Sequence, residues 1–141
     1  MSKKKFLLDM DDDFSEQLVL GIVSSQSHLE FVHNLNKMGY FNFERTDDFE
    51  LNDTKDSRFF VQFKYEDTET NETIVLLKTK GNAGILSKEL AGIDYIMLIR
   101  SEDVNYLQNL NEVLKNQKNI MTTIDLSVNR ISDKLIRLLR N

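Results

Sequence analysis

Apolar and polar residues alternate most regularly between residues 58 and 65. One face of this segment consists of Phe59, Val61, Phe63 and Tyr65. A period of two predicts a β-strand, and residues 73–79 return as a second strand after a polar loop, so we predict a β-hairpin. We expect the acidic residues at its tip to be solvated, namely Glu66, Asp67, Glu69 and Glu72.

Residues 93–99 are apolar on both faces, which predicts a central strand. Residues 17–24 are also apolar, but their spacing fits a strand or a helix. We predict further strands at residues 4–10, 41–53 and 119–125.

Three segments repeat apolar residues at helical spacing. The first begins at Ser27, which forms a capping box with Glu30, and it ends at Gly39. Ser101 is expected to cap the second, whose buried stripe is Val104, Leu107, Leu110 and Leu114. Ser127 is expected to cap the third, which is built on Val128, Ile131, Leu135, Leu138 and Leu139.

These elements predict one α+β domain over residues 1–141. We expect an antiparallel or mixed sheet of about six strands, with two longer helices and a C-terminal helix packed on it. Two or three helices can hardly cover both faces of such a sheet, and several of its predicted strands carry aromatic residues. We therefore expect a homodimer that buries some of them, namely Phe43, Phe59, Phe60 and Phe63.

Composition narrows the possible functions. A formal net charge of −5 argues against general nucleic-acid binding, which requires a surplus of lysine and arginine. The chain has no cysteine, which excludes disulfides and thiolate metal sites. No segment has the ~20 apolar residues of a membrane span, and the first apolar run is too short for a secretion signal. We expect a cytoplasmic protein without membrane contact.

The residues that suggest a metal site lack the required spacing. Asp9, Asp11 and Asp13 match the first three ligand positions of an EF-hand loop. However, Phe14 replaces the required glycine and Leu20 the final glutamate. His28 and His33 are five residues apart rather than four. We therefore assign no metal, no cofactor and no catalytic residue.

Asp94 is the most unusual polar residue, because it stands at the start of the predicted central strand. Ser87 and Gly92 fit the cap and the left-handed exit of a helical turn before it. We expect the Asp94 carboxylate to accept main-chain hydrogen bonds from a neighbouring turn, or to pair with a cation such as Lys88. Tyr95 would bury its ring on the opposite face and bring its hydroxyl to a polar partner.

The run from Ser87 to Tyr95, SKELAGIDY, resembles the signature of an uncharacterised bacterial family named for its I-P-E-x-x-x-V-D-Y motif. Glu89, Asp94 and Tyr95 match the motif, and isoleucine replaces its valine. Serine and lysine stand where the family has Ile-Pro. The resemblance implies no established activity.

Three functions remain as predictions. The first is a non-enzymatic protein-interaction module with an unknown protein partner. The alternative is a small carboxylate-based enzyme or ligand sensor that uses Glu89, Asp94 and Tyr95. The third is phosphate or RNA binding through a basic stripe on the C-terminal helix, formed by Arg130, Lys134, Arg137 and Arg140.

Overall fold

The computed structural model describes residues 16–52 and 57–126. Three predictions lie outside these residues: the strand at 4–10, the aspartate cluster at 9–13 and the C-terminal helix. The basic stripe of that helix therefore also lies outside them, that is Arg130, Lys134, Arg137 and Arg140.

The described chain is an α+β fold. Its helices are α1 (His28–Lys37) and α2 (Val104–Lys115). Its strands are β1 (Glu16–Val23), β2 (Glu44–Arg45), β3 (Phe49–Leu51), β4 (Arg58–Phe60), β5 (Gln62–Asp67), β6 (Glu72–Lys78), β7 (Lys80–Gly81), β8 (Gly84–Ile85), β9 (Tyr95–Ser101) and β10 (Thr122–Asp125). A single 3-10 turn, Lys88–Leu90, precedes β9.

Six of the described strands form one sheet in the order β10-β1-β9-β6-β5-β2. Every neighbouring pair is antiparallel, so the antiparallel alternative of the prediction is the observed one. The apolar segment at 17–24 is a strand up to Val23, where β1 ends. As predicted, β9 is central, because it lies between β1 and β6. Two small ribbons, β3–β4 and β7–β8, accompany the sheet.

The two faces of the sheet are covered differently. On the first face, Leu20, Leu76 and Met97 pack beneath α1 and α2. On the second face, no described helix takes part in the apolar cluster. Strand residues there pack against short segments, and this cluster contains Val19, Leu51, Phe60, Leu77, Leu86, Leu90, Ile93, Ile96 and Leu126.

The helix boundaries agree with the prediction at α1 and differ at α2. At α1 the Glu30 N–H donates to Ser27 Oγ and the Ser27 N–H donates to Glu30 Oε1, which is the predicted capping box. Gly39 follows with a φ of 87°. At α2 the cap is Asp103 rather than Ser101, and its Oδ1 accepts the Asn105 N–H at 2.9 Å. Ser101 instead ends β9 and is completely buried.

Two predicted long strands are divided in the structure. The segment at 41–53 forms the separate strands β2 and β3, with an Arg45–Asp48 ion pair of 2.9 Å in the turn between them. The segment at 58–65 keeps its alternation but changes partner at Val61. As this alternation requires, Phe60 packs on the second face and Phe63 on the first.

The aromatic residues behind the homodimer prediction are mostly buried within the single chain. Phe43, Phe60 and Phe63 are each less than a tenth exposed, whereas Phe59 is 39% exposed. The sheet therefore needs no partner to cover those three rings, and this reason for expecting a dimer is wrong.

Candidate functional site

The candidate site lies at the upper end of the sheet, where β9 begins and β1 ends. The 3-10 turn before β9 is built as predicted. Ser87 caps it by accepting the Glu89 N–H, Leu90 is buried on the second face, and Gly92 leaves the turn with a φ of 89°. A positive φ of this size favours glycine, because a Cβ would strain the backbone.

Asp94 joins three strands at this end. Its N–H donates to the Ile22 carbonyl at 2.9 Å, and its own carbonyl accepts the Thr79 N–H at 3.1 Å. Its side chain has a further role, since Asp94 Oδ2 accepts the Ser24 N–H at 2.9 Å. The predicted main-chain hydrogen bond to this carboxylate is therefore confirmed, and it holds the exit of β1 against the start of β9.

Ser24 continues the connection to the edge of the sheet. It is 4% exposed, and its Oγ donates to the Asn119 carbonyl at 2.6 Å. Two residues later, the Met121 N–H donates to the Val23 carbonyl at 2.8 Å. These hydrogen bonds thus fix the segment before β10 to the end of β1. The buried Asn119 Nδ2 has no hydrogen-bond partner among the described residues.

Tyr95 extends from the other side of β9 into the first face. Its ring stacks on Phe31 of α1 with centroids 4.3 Å apart, and its hydroxyl donates to the Gln26 carbonyl at 2.7 Å. Burial, together with the nearby Asp94 and Glu30 carboxylates, raises the pKa of Tyr95 to about 12. The hydroxyl therefore stays protonated and remains a hydrogen-bond donor to the β1–α1 connection, as predicted.

Glu89, Asp94 and Tyr95 do not face one common space. Glu89 is exposed beside Leu90, which packs on the second face, whereas the Tyr95 ring lies in the first face. Asp94 Oδ2 and the Tyr95 hydroxyl each bond to main chain between β1 and α1. These two hydrogen bonds therefore hold the backbone of the β1–α1 connection in place.

The two histidines lie on α1, apart from the hydrogen bonds around Asp94. His28 is the first residue of α1, and its pKa is lowered by burial and then by Lys78 and Arg45, with Asp48 opposing them. His33 is exposed on α1. Across residues 16–52 and 57–126, no group of three potential metal-ligating side chains occurs.

A second polar cluster at the opposite end of the sheet was not predicted. Glu72 is only 8% exposed rather than solvated, and it accepts hydrogen bonds from Thr70 Oγ1 at 2.9 Å and Ser101 Oγ at 3.3 Å. Burial, with Glu72 and Asp67 nearby, raises the pKa of both Tyr65 and Tyr106. The sequence did contain a signal for the burial of Glu72, because the alternation along β6 places it on the same face as the buried Ile74 and Leu76.

Comparison with known proteins does not extend this description. Neither protein-family models nor curated proteins give a match to the chain. Among the described residues, no helix has the length and apolar character needed to cross a membrane.

Proposed function

We propose that the protein is a non-enzymatic protein-interaction module, that it works in the cytoplasm as a homodimer, and that its contact surface lies at the upper end of the sheet. We define this apical surface by Leu29 and Met121. Leu29 is 68% exposed and Met121 is 73% exposed, the highest values among the exposed large apolar side chains of the described chain. This exposure is the observation that carries the proposal.

The two side chains belong to segments that are held in place by the hydrogen bonds of Asp94, Ser24 and Tyr95. Met121 is hydrogen-bonded to Val23 through its N–H, and Leu29 lies in the first turn of α1, directly after the connection held by Ser24 and Tyr95. Apolar side chains held at one rigid end of a domain favour association, because their burial against a partner removes apolar surface from water. Methionine is also enriched in protein–protein interfaces.

On this proposal, the run from Ser87 to Tyr95 has an architectural role. Asp94 and Tyr95 would not touch the partner but would position the backbone that presents Leu29 and Met121. We retain as a proposal the relationship to the I-P-E-x-x-x-V-D-Y family. It rests on the motif residues that match in this chain, namely Glu89, Asp94 and Tyr95.

Light scattering on three proteins tests the proposal. For the wild type we expect about twice the 16.5 kDa chain mass at micromolar concentration. The double variant Leu29→Asp/Met121→Asp should give a single-chain mass, because a charge cannot be buried unpaired in an apolar contact. The control is Tyr40→Asp, which places one of these negative charges at another exposed site, 58% exposed and beyond the end of α1.

A wild type that scatters as a single chain would refute the homodimer. A double variant that remains dimeric would refute the apical surface. Loss of the dimer in Tyr40→Asp as well would show that added charge, rather than its position, causes dissociation.

A further inference from the structure

We propose that the protein binds a free tetrahedral oxyanion, of the size and charge of sulfate or phosphate, between the start of α1 and the upper end of the sheet. This oxyanion site consists of His28, Arg45 and Lys78, which come from α1, β2 and β6. It lies on the first face and does not depend on the homodimer, so the two proposals can fail separately.

The register of the sheet brings the two cations together near one aromatic ring. Arg45 is paired with Phe63 of β5, and Phe63 is paired with Leu76 of β6. Paired residues share a face of the sheet, and so do residues two apart on a strand, so Lys78 lies on the face of Leu76 and is a diagonal neighbour of Phe63. Phe63 and Leu76 belong to the cluster beneath the helices. Arg45 and Lys78 therefore both lie on the first face.

His28 joins these cations from the helix above them. Its ring centroid is 6.2 Å from that of Phe63, and the guanidinium carbon of Arg45 is 5.7 Å from the same Phe63 centroid. The backbone around His28 is fixed by the capping box of α1 and by Tyr95, whose hydroxyl donates to the Gln26 carbonyl two residues earlier. The three groups of the site are thus held on rigid elements, which lowers the cost of ordering them around a ligand.

The charges around His28 favour an anion. Burial lowers the pKa of His28, and Lys78 and Arg45 lower it further, whereas Asp48 raises it. The Asp48 carboxylate is already paired with Arg45 at 2.9 Å. Among residues 16–52 and 57–126, Lys78 has no ion pair. These residues therefore leave one positive charge without a carboxylate, and the amino-terminal end of the α1 dipole adds to it.

The state of the His28 ring also suits an oxyanion. Its Nδ1 atom is buried and has no hydrogen-bond partner among the described residues. A proton on Nδ1 would lack an acceptor, so the neutral ring carries its proton on Nε2. Nε2 can therefore donate to an oxyanion oxygen, together with the Lys78 ammonium group and the Arg45 guanidinium group.

The NMR signals of the imidazole rings test this inference in the full chain, because His28 and His33 are its two histidines. His33 is exposed on the same helix and is the internal reference. The pKa of each histidine is measured in sulfate, which does not titrate near neutral pH, and in sodium chloride at the same ionic strength. Lys78→Gln and Arg45→Gln each remove one cation of the site, and the matched control Lys80→Gln removes an exposed cation on β7 outside it.

We expect sulfate to raise the pKa of His28 saturably above its value in chloride, and to leave the pKa of His33 as it is in chloride. Lys78→Gln should weaken sulfate binding about tenfold or more, because it removes a charge-assisted contact, whereas Lys80→Gln should bind as the wild type does. Arg45→Gln gives the same test if Lys78→Gln folds poorly.

Two results would overturn the proposal. One is an equal pKa of His28 in sulfate and in chloride. The other is undiminished sulfate binding in both Lys78→Gln and Arg45→Gln, because the oxyanion would then bind elsewhere.

Discussion

The two faces of the sheet use the same strands but are covered in different ways. The first face is closed by two amphipathic helices, and Leu76 and Met97 beneath them are completely buried. The second face is closed by ribbons, a 3-10 turn and a few single side chains, and it leaves Val75 and Leu98 half-buried. An alternating strand therefore indicates which side chains share a face, but not how well that face is covered.

The largest expected effect is a contrast between Leu76→Ala and Leu98→Ala. Leu76→Ala empties a buried site beneath the helices, so it should lower the free energy of unfolding by about 2–5 kcal/mol. Leu98→Ala should cost no more than about half as much, because part of the side chain is already in water. Urea denaturation of both variants measures the two losses. Equal losses would mean that the second face is as fully covered in solution as the first.

Asp94→Ala should have the next largest effect. The Ser24 N–H would lose its acceptor in a partly buried place, which should cost about 1–3 kcal/mol. Urea denaturation measures this cost, and Glu89→Ala is the control, because it alters another motif residue at an exposed position. If Asp94 served ligand binding instead, its replacement would leave the unfolding curve unchanged.

Gly21→Ala tests the close packing of the second face near β1. An added Cβ would lie 2.9 Å from Ile93 Cδ1 and 3.3 Å from its Cγ2, so the Ile93 side chain would have to move. We expect a loss of roughly 1–2 kcal/mol, in the range of overpacked sites. Thermal unfolding measures it, and adding Ile93→Val, which deletes the Cδ1 atom, should restore part of the loss. No rescue would indicate that Ile93 is not the obstacle.

Tyr95→Phe should have the smallest effect at neutral pH. It removes one hydrogen bond to the Gln26 carbonyl, which should cost about 1 kcal/mol. The wild type should show a second effect at alkaline pH. The pKa of Tyr95 is about 12 in the folded state, whereas the unfolded chain releases this proton near pH 10.0, the ordinary tyrosine value.

The Tyr95 contribution is therefore complete below pH 10 and is lost as the pH rises from 10 to 12. Urea midpoints measured across this interval should fall less steeply for Tyr95→Phe than for the wild type. Part of the decline should remain, because the pKa values of Tyr65 and Tyr106 are raised as well. Identical slopes would contradict the assignment.

Local signals in the sequence predicted much of the fold. The Ser27–Glu30 capping box, the central strand at 93–99 and the turn closed by Gly92 are all present as expected, because each depends on residues close together in the chain. Signals of this kind do not contain strand order. They also could not show that β4 pairs with β3 while β5 pairs with β6, since that change depends on contacts far apart in sequence.

Local signals contain no information on contacts far apart in sequence, and this also explains the errors at polar residues. Ser101 and Asp103 both fit a helix cap. Asp103 takes that role, whereas Ser101 Oγ accepts the Asp103 N–H at 3.0 Å and donates to the buried carboxylate of Glu72, 29 residues away. Asp94 was predictable as an anchored carboxylate, but its partner Ser24 is 70 residues distant. The type of interaction was therefore available from sequence, whereas the partner required the fold.

The hydrogen bond from the Ser24 N–H to Asp94 Oδ2 is central to the architectural role of the motif, because it joins the end of β1 to the start of β9. Amide hydrogen exchange at Ser24 measures it directly. The wild type should protect this amide, and Asp94→Ala should remove the protection, whereas the Asp94-position amide, which donates to the Ile22 carbonyl, should stay protected in both proteins. Equal protection of the Ser24 amide in wild type and Asp94→Ala would contradict the account.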